Sequence, residues 1–169
     1  MKLSLRWVLS IAVLGCAILF FWGPTDARAD QIAQSADKDM APAFALKDLD
    51  GRDVRLIDFQ GKPVLLYFMA TWCPQCRAMI PRMLEINSRY GAKGLVILGV
   101  NVMESREKMT SYAKKNALPY RTLLDLEGKV AQSYGVVGLP VLALVSKEGR
   151  IICWNCRSLD KLVEKQLGI

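Results

Sequence analysis

Histidine is absent from this chain of 169 residues. Its absence excludes nucleophiles activated by a neighbouring imidazole, metal sites with histidine ligands and haem with a histidine axial ligand. It also argues against a copper chaperone of the kind that pairs cysteines with a histidine. Any chemistry must therefore come from cysteines, carboxylates, lysines or the backbone.

Runs of basic residues are also missing. The net charge is +7, but lysine and arginine are scattered along the chain. A clustered basic surface is what nucleic-acid binding requires, so we predict no nucleic-acid partner. Internal repeats and low-complexity segments are absent as well, which fits one domain behind a leader.

The first 29 residues have the layout of a secretory leader. Lys2 and Arg6 precede an apolar run over residues 7–22, and an A-x-A pattern ends at Ala29. The run is slightly shorter than the roughly 17–25 residues of a spanning helix. Two alternatives remain open, namely cleavage after Ala29 or an N-terminal membrane anchor formed by residues 7–22. Both predict a periplasmic or otherwise extracytoplasmic location for the remainder, because the positive start stays inside.

The pattern after the leader predicts a linker over residues 30–40 and an α/β domain over residues 41–169 with a mixed sheet. The apolar runs and turn residues predict a hairpin at "DLDG", buried strands at 63–70 and 95–102, and helices at 74–90 and 105–116. After "LLD" they predict a turn and a short helix, then strands at 141–145 and 151–154 joined by a turn, and a closing helix at 159–167.

The stretch "TWCPQC" carries the first candidate site. Cys73 follows a buried strand and opens a helix, where unpaired N–H groups and the helix dipole stabilise a thiolate. Cys76, one turn later, can close on Cys73, which suits exchange through a mixed disulfide followed by resolution. The alternatives are a local staple and half of a zinc site. A staple of four residues would restrain the unfolded chain very little, so the spacing favours a redox pair.

Several further motifs of the chain, taken together with the cysteine pair, resemble those of one protein family. From about Met40 to Leu167 the chain resembles the TlpA/ResA-like extracytoplasmic thiol–disulfide oxidoreductases of the thioredoxin superfamily. The resemblance is carried by "APAFALKDLDGRDVRL", "GKPVLLYFMATWCPQC", Pro81, "LLDLEGKVAQSYGVVGLP" and "SKEGRI". It implies a thioredoxin-like fold, a central mixed sheet flanked by helices with an N-terminal β-hairpin. No cofactor is expected.

The same resemblance implies the substrate-binding residues. Pro140 would be a cis-proline facing the cysteine pair, which leaves backbone groups of Leu139 to pair with an extended substrate. Trp72 and Pro74 would lie on the substrate-facing surface. The partners implied are exported proteins with disulfides or thiols and a membrane thiol-electron transporter.

Two departures from the family's pattern concern proton transfer. Tyr67 stands where thioredoxin has a buried aspartate, and Met79 stands where many TlpA-like proteins have a glutamate. A carboxylate that could relay a proton to Cys76 is therefore missing from both positions. Tyr67 could replace it, although an aromatic residue in an apolar strand is more often part of the core.

A second pair, Cys153 and Cys156 in "CWNC", lies outside the family's pattern. It could be a second redox couple, a local disulfide, a zinc site together with the first pair, or two incidental thiols. In the expected fold it lies two strands away from the strand that leads to Cys73, about 10 Å laterally, too far for a direct disulfide. We favour a separate disulfide, and no metal site is predicted.

These observations predict an extracytoplasmic thiol–disulfide oxidoreductase acting through Cys73 and Cys76. The resemblance implies that it reduces disulfides of exported proteins, with apocytochrome c as a candidate. The alternatives are a disulfide oxidant or isomerase, and a non-catalytic zinc-binding module that uses both pairs. A peroxidase is disfavoured, because "MATWC" lacks the P-x-x-x-T-x-x-C arrangement.

Overall fold

A computed structural model describes residues 39–169. The predicted leader, whether signal peptide or anchor, and most of the predicted linker lie outside these residues. No helix between residues 39 and 169 combines the length and the apolar character needed to cross a membrane.

The described residues form seven strands, four α-helices and two short 3₁₀ helices. In chain order they are β1 (Ala45–Asp48), β2 (Asp53–Arg55), a 3₁₀ helix (Leu56–Phe59), β3 (Val64–Met69), α1 (Pro74–Tyr90), a 3₁₀ helix (Gly91–Lys93), β4 (Val96–Val102), α2 (Arg106–Lys115), β5 (Arg121–Asp125), α3 (Lys129–Ser133), β6 (Val141–Val145), β7 (Ile151–Trp154) and α4 (Leu159–Leu167).

The strands form one mixed sheet in the order β2-β1-β5-β4-β3-β6-β7. β3, β4 and β5 are parallel, and β6 runs antiparallel to β3 on one side and to β7 on the other. β7 therefore runs in the same direction as β3, two strands away from it at the edge. The predicted spacing of two strands between the two cysteine pairs is confirmed.

β3 lies in the interior of the sheet, and every one of its side chains is buried. Its alternate residues Leu65, Tyr67 and Met69 face a core cluster with residues of α1, α2 and α4. The remaining residues face a second cluster with α3 and the first hairpin. A run of continuous apolar residues is what a strand covered on both faces requires, so the two-sided burial predicted for this strand is confirmed.

Helix ends follow the local sequence. α1 begins with Pro74, which needs no N–H at this position, and it continues through Pro81 to Tyr90. Ser105 caps α2 by accepting the N–H of Lys108, as predicted. Gly128, with a φ of 71°, takes the left-handed conformation that begins α3.

The structure differs from the prediction in two places. Residues 121–125 form β5, where no element was predicted, because two leucines between polar residues are too short a run to indicate a strand. Asp39 and Met40, predicted as linker, pair with the last hairpin: Asp39 accepts the N–H of Ile151 and Met40 bridges to Arg150. These two residues therefore pair with the domain although they were predicted as linker.

Candidate active site

Cys73 lies between the end of β3 and the start of α1, the longest helix of the described residues. It is the N-cap residue of α1, and its sulfur accepts the backbone N–H of Cys76 at 3.2 Å. A donor at this distance, together with the N-terminal end of the helix, stabilises negative charge on the Cys73 sulfur. Cys73 is 4% exposed and Cys76 is fully buried. Both thiols are free, and only Cys73 reaches the surface.

Leu139 and Pro140 face Cys73 from the start of β6. The peptide bond between them is cis, so this prediction is confirmed. The Cys73 thiol donates to the carbonyl oxygen of Leu139 at 3.6 Å. The structure thus brings Cys73 into contact with Leu139, which lies 66 residues later in the chain.

The surface around Cys73 is apolar. Trp72 is 61% exposed and Pro74 is exposed, beside the half-buried Leu139 and Pro140. Val137, two residues before Leu139, is fully exposed. Sequence reasoning did not single out Val137, although a valine beside Gly138 in a predicted loop is a signal for exposure. We call these five side chains, which lie within two residues of Cys73 or Leu139 in the sequence, the apolar rim; an extended peptide could contact them.

A buried carboxylate holds the loop that carries Trp72. Glu104 accepts both the backbone N–H and the hydroxyl of Thr71, each at 2.6 Å. Asn101 donates to Glu104 at 2.8 Å, and Lys108 forms an ion pair with it at 2.6 Å. Burial alone would raise the pKa of Glu104, but the hydrogen bonds from Lys108 and Thr71 outweigh it and hold the pKa below its usual range.

Glu104 is therefore a positioning residue of the site. The carbonyl oxygen of Thr71 also accepts from Arg77 in the first turn of α1, at 3.5 Å. Thr71 is thus held on both sides, which fixes the backbone immediately before Trp72 and Cys73. Sequence reasoning missed Glu104, because its partner Thr71 lies 33 residues away in the chain.

Cys76 is placed in an environment that keeps it protonated. Burial, followed by the hydrogen bond with the Cys73 sulfur, raises the pKa of Cys76 well above that of a free thiol. The hydroxyl of Tyr67 donates to the carbonyl oxygen of Cys76 at 2.8 Å. Burial also raises the pKa of Tyr67, so at neutral pH this hydroxyl stays protonated. It fixes the backbone of Cys76 and does not supply the missing base.

The second pair forms a disulfide between Cys153 and Cys156. Both cysteines are half-buried and pack against the same core cluster that contains Cys73 and Cys76. Between them, Asn155 has a φ of 43°. Its backbone N–H donates to the carbonyl oxygen of Leu142, and its side-chain oxygen accepts the N–H of Leu142, both at 2.8 Å.

The described part of the chain contains no cluster of side chains that could bind a metal ion. Between residues 39 and 169, no three histidine, cysteine, aspartate or glutamate side chains lie close enough to hold an ion. Cys153 and Cys156 are bonded to each other, so they are not available as ligands beside the first pair.

Comparison with known proteins places this chain in a family. The sequence model of the AhpC/TSA family matches residues 38–153, most of the chain. The chain belongs to this family. A solved thioredoxin domain of a thiol–disulfide oxidoreductase from Bacteroides vulgatus superposes with a TM-score of 0.68 at 33% identity, covering 75% of this chain and 94% of that domain. The predicted thioredoxin-like fold is thereby confirmed.

Curated relatives carry one consistent name. The chain is 39% identical over 111 residues to the thiol-disulfide oxidoreductase ResA of Geobacillus thermodenitrificans, over 66% of this chain and 64% of that protein. It is 31% identical over 143 residues to ResA of Bacillus subtilis, over 84% and 78% of the two chains. The match to the first relative thus spans slightly less than two thirds of its length. The predicted resemblance to ResA-like proteins is confirmed.

Proposed function

We propose that this protein is an extracytoplasmic thiol–disulfide oxidoreductase that reduces disulfides in exported proteins. The observation that carries the proposal is the geometry at Cys73. Its sulfur accepts a backbone N–H at the start of α1 and contacts the carbonyl of Leu139 beside a cis-proline. An attacking thiolate needs that stabilisation, and a peptide substrate needs accessible backbone beside it.

The reaction proceeds in two exchange steps. The Cys73 thiolate attacks one sulfur of the substrate disulfide, forming a mixed disulfide and releasing the other substrate sulfur as a thiolate, which takes up a proton. Cys76 then loses its proton and attacks the Cys73 sulfur, which releases the second substrate thiol. The substrate gains two electrons and two protons, and the protein is left with a Cys73–Cys76 disulfide. An external dithiol, proposed to be that of a membrane thiol-electron transporter, reduces it again.

The environment of Cys76 suits the resolving role. Burial raises the pKa of Cys76, so this thiol stays protonated and does not compete with Cys73 for the substrate disulfide. The reducing direction is proposed from the resemblance to the TlpA/ResA-like proteins. Carboxylates are missing at positions 67 and 79, so the Cys76 proton is proposed to leave with the departing substrate sulfur.

The proposed substrates follow from the names of the relatives and from the resemblance. The apolar rim of Trp72, Pro74, Val137, Leu139 and Pro140 is proposed to bind the peptide around the disulfide. Apocytochrome c, whose haem-attachment segment has the form C-x-x-C-H, is proposed as one such substrate. The predicted secretory leader supports action outside the cytoplasm.

Turnover of a peptide disulfide tests this proposal. Full-length protein with an artificial electron source should reduce a peptide carrying an oxidised C-x-x-C-H segment. The variant Cys73→Ser should fall to the background rate, because the attacking sulfur is lost. The matched control Cys153→Ser/Cys156→Ser should retain turnover, because the second pair lies two strands away. Full turnover in Cys73→Ser with folding unchanged by circular dichroism would contradict the proposed site.

A further inference from the structure

The two cysteine pairs share an end and a face of the sheet. Cys73 follows the carboxyl end of β3, and Cys156 follows the carboxyl end of β7, which runs in the same direction. Cys73 precedes α1, which contains Cys76, and the second pair precedes α4. Both pairs pack into one core cluster. The second disulfide therefore lies at the end of the molecule where the candidate active site is built.

A bulge aims Cys153 toward that face. The β6–β7 ladder pairs Val145 with Ile151 and Leu144 with Cys153, so one extra residue, Ile152, is inserted. Ile151 packs with the cluster on the opposite face, whereas Ile152 and Cys153 both pack with the cluster of α1 and α4. Strict alternation would have put Cys153 on the other face. Bulges often re-aim a side chain next to a functional site.

The disulfide adds little to what already holds this loop. It closes only the four residues 153–156, so it restrains the unfolded chain weakly. The two hydrogen bonds between Asn155 and Leu142 fix the loop to β6. The first turn of α4 is anchored by Leu159, which is buried. A purely stabilising role therefore explains the pair poorly.

The disulfide is accessible to a protein partner. Cys153 and Cys156 are half-buried, while Trp154 and Asn155 between them are exposed, Trp154 by 42%. Trp154 packs edge-on against Tyr134 on the opposite face of the sheet, with ring centroids 6.0 Å apart, so its ring does not cover the two cysteines.

We propose that Cys153–Cys156 is a second thiol–disulfide exchange site, which accepts electrons from a dithiol on another protein. A partner thiolate attacks one of the two sulfurs and breaks the bond between them. The released sulfur takes up a proton, and the second partner thiol then resolves the mixed disulfide. Two electrons and two protons pass to Cys153 and Cys156, and the partner is left with a disulfide. This inference does not depend on the reaction proposed for Cys73.

The test uses the whole chain with only the second pair remaining, the variant Cys16→Ala/Cys73→Ser/Cys76→Ser. Cys16 is the fifth cysteine of the chain and lies in the apolar run of the predicted leader. The probe is a synthetic peptide with a reduced C-x-x-C segment. Reduction of Cys153–Cys156 is followed by rapid alkylation and intact-mass counting of the new thiols. The same measurement in urea sufficient to unfold the chain gives the rate for a fully accessible disulfide.

An exchange site predicts a native rate within about tenfold of the unfolded rate, with the far-UV circular dichroism unchanged after reduction. A native rate lower than that would show a protected structural disulfide and overturn the proposal. Since the first pair is absent from this variant, failure of the reaction proposed for Cys73 would leave the result unaffected.

Discussion

Single residues decide which sulfur reacts first. Cys73 and Cys76 are three residues apart, yet the first accepts an N–H at the helix start and touches the surface, while the second is fully buried. The same motif therefore gives two thiols with different roles. The group that donates a hydrogen bond to the Cys73 sulfur is the backbone N–H of Cys76. The difference between the two thiols therefore arises within the C-x-x-C motif.

Alkylation of the native, reduced protein should reveal this difference. At neutral pH, iodoacetamide should modify Cys73 at least about tenfold faster than Cys76, because only the thiolate reacts and only Cys73 is accessible. Peptide mapping by mass spectrometry after short exposures measures both rates. The protein unfolded in urea is the control, in which the two rates should converge. Equal rates in the native protein would contradict the assignment of attacker and resolver.

The sequence was sufficient for some of these residues and insufficient for others. Cys73 could be predicted, because a C-x-x-C between a buried strand and a helix combines three local signals. Glu104 could not, because its role depends on Thr71 from a distant part of the chain. Whether Tyr67 could replace the missing carboxylate also required the structure. Its hydroxyl donates a hydrogen bond to the carbonyl oxygen of Cys76 and so does not act as a base there.

Elements of the fold position the site through a few contacts between their ends. Glu104 follows β4 and bonds the loop between β3 and α1, so the ends of two neighbouring parallel strands are tied together. The cis peptide before β6 brings Leu139 to Cys73 from the other side of β3. Three adjacent strands thus define the place of one sulfur.

Replacing Glu104 by glutamine should weaken its hydrogen bonds with Thr71 and lower the stability of the fold in a pH-dependent way. At pH 7 the variant should lose about 1–3 kcal/mol of unfolding free energy, because hydrogen bonds to a buried charge are lost. The folded protein lowers the pKa of Glu104. The contribution of the carboxylate is therefore complete above the unfolded-chain pKa and disappears as the pH falls through the folded-state value.

Urea denaturation of wild type and Glu104→Gln across the acid range measures this effect. The difference between the two proteins should be largest near neutral pH and shrink on acidification. Glu107→Gln, an exposed change three residues later in the first turn of α2, is the matched control and should change stability little. A difference between wild type and Glu104→Gln that is independent of pH would contradict the role given to the charge.

Long, uniform elements were also the ones the sequence predicted well. β3 and α1 each carry a strong pattern, continuous burial in one and helical spacing with Pro74 at the start in the other. β5 was missed because its burial comes from its neighbours: it lies between β4 and β1 in the sheet, and "LLD" alone does not indicate that position. The bulge in β7 was likewise invisible, since it appears only in the register with β6.

The whole molecule presents two cysteine pairs at one end of a single sheet. The order of the strands keeps the pairs apart, because β6 lies between β3 and β7. At about 4.8 Å between neighbouring strands, a direct disulfide between the pairs would require movement of the backbone. The two pairs therefore do not exchange directly in this fold, and the reaction proposed for the first can be measured without the second.

Trapping a mixed disulfide on a defined peptide tests the central claim most directly. The reduced variant Cys76→Ser is mixed with a peptide carrying an oxidised C-x-x-C-H segment, and the products are read by intact mass and peptide mapping. We predict a stable adduct of one peptide bonded to Cys73, because the resolving thiol is gone. Wild type should show oxidised Cys73–Cys76 and free reduced peptide, and Cys73→Ser should show no adduct on Cys76. The absence of an adduct on Cys73 of the Cys76→Ser variant, while wild type still reduces the peptide, would contradict the account.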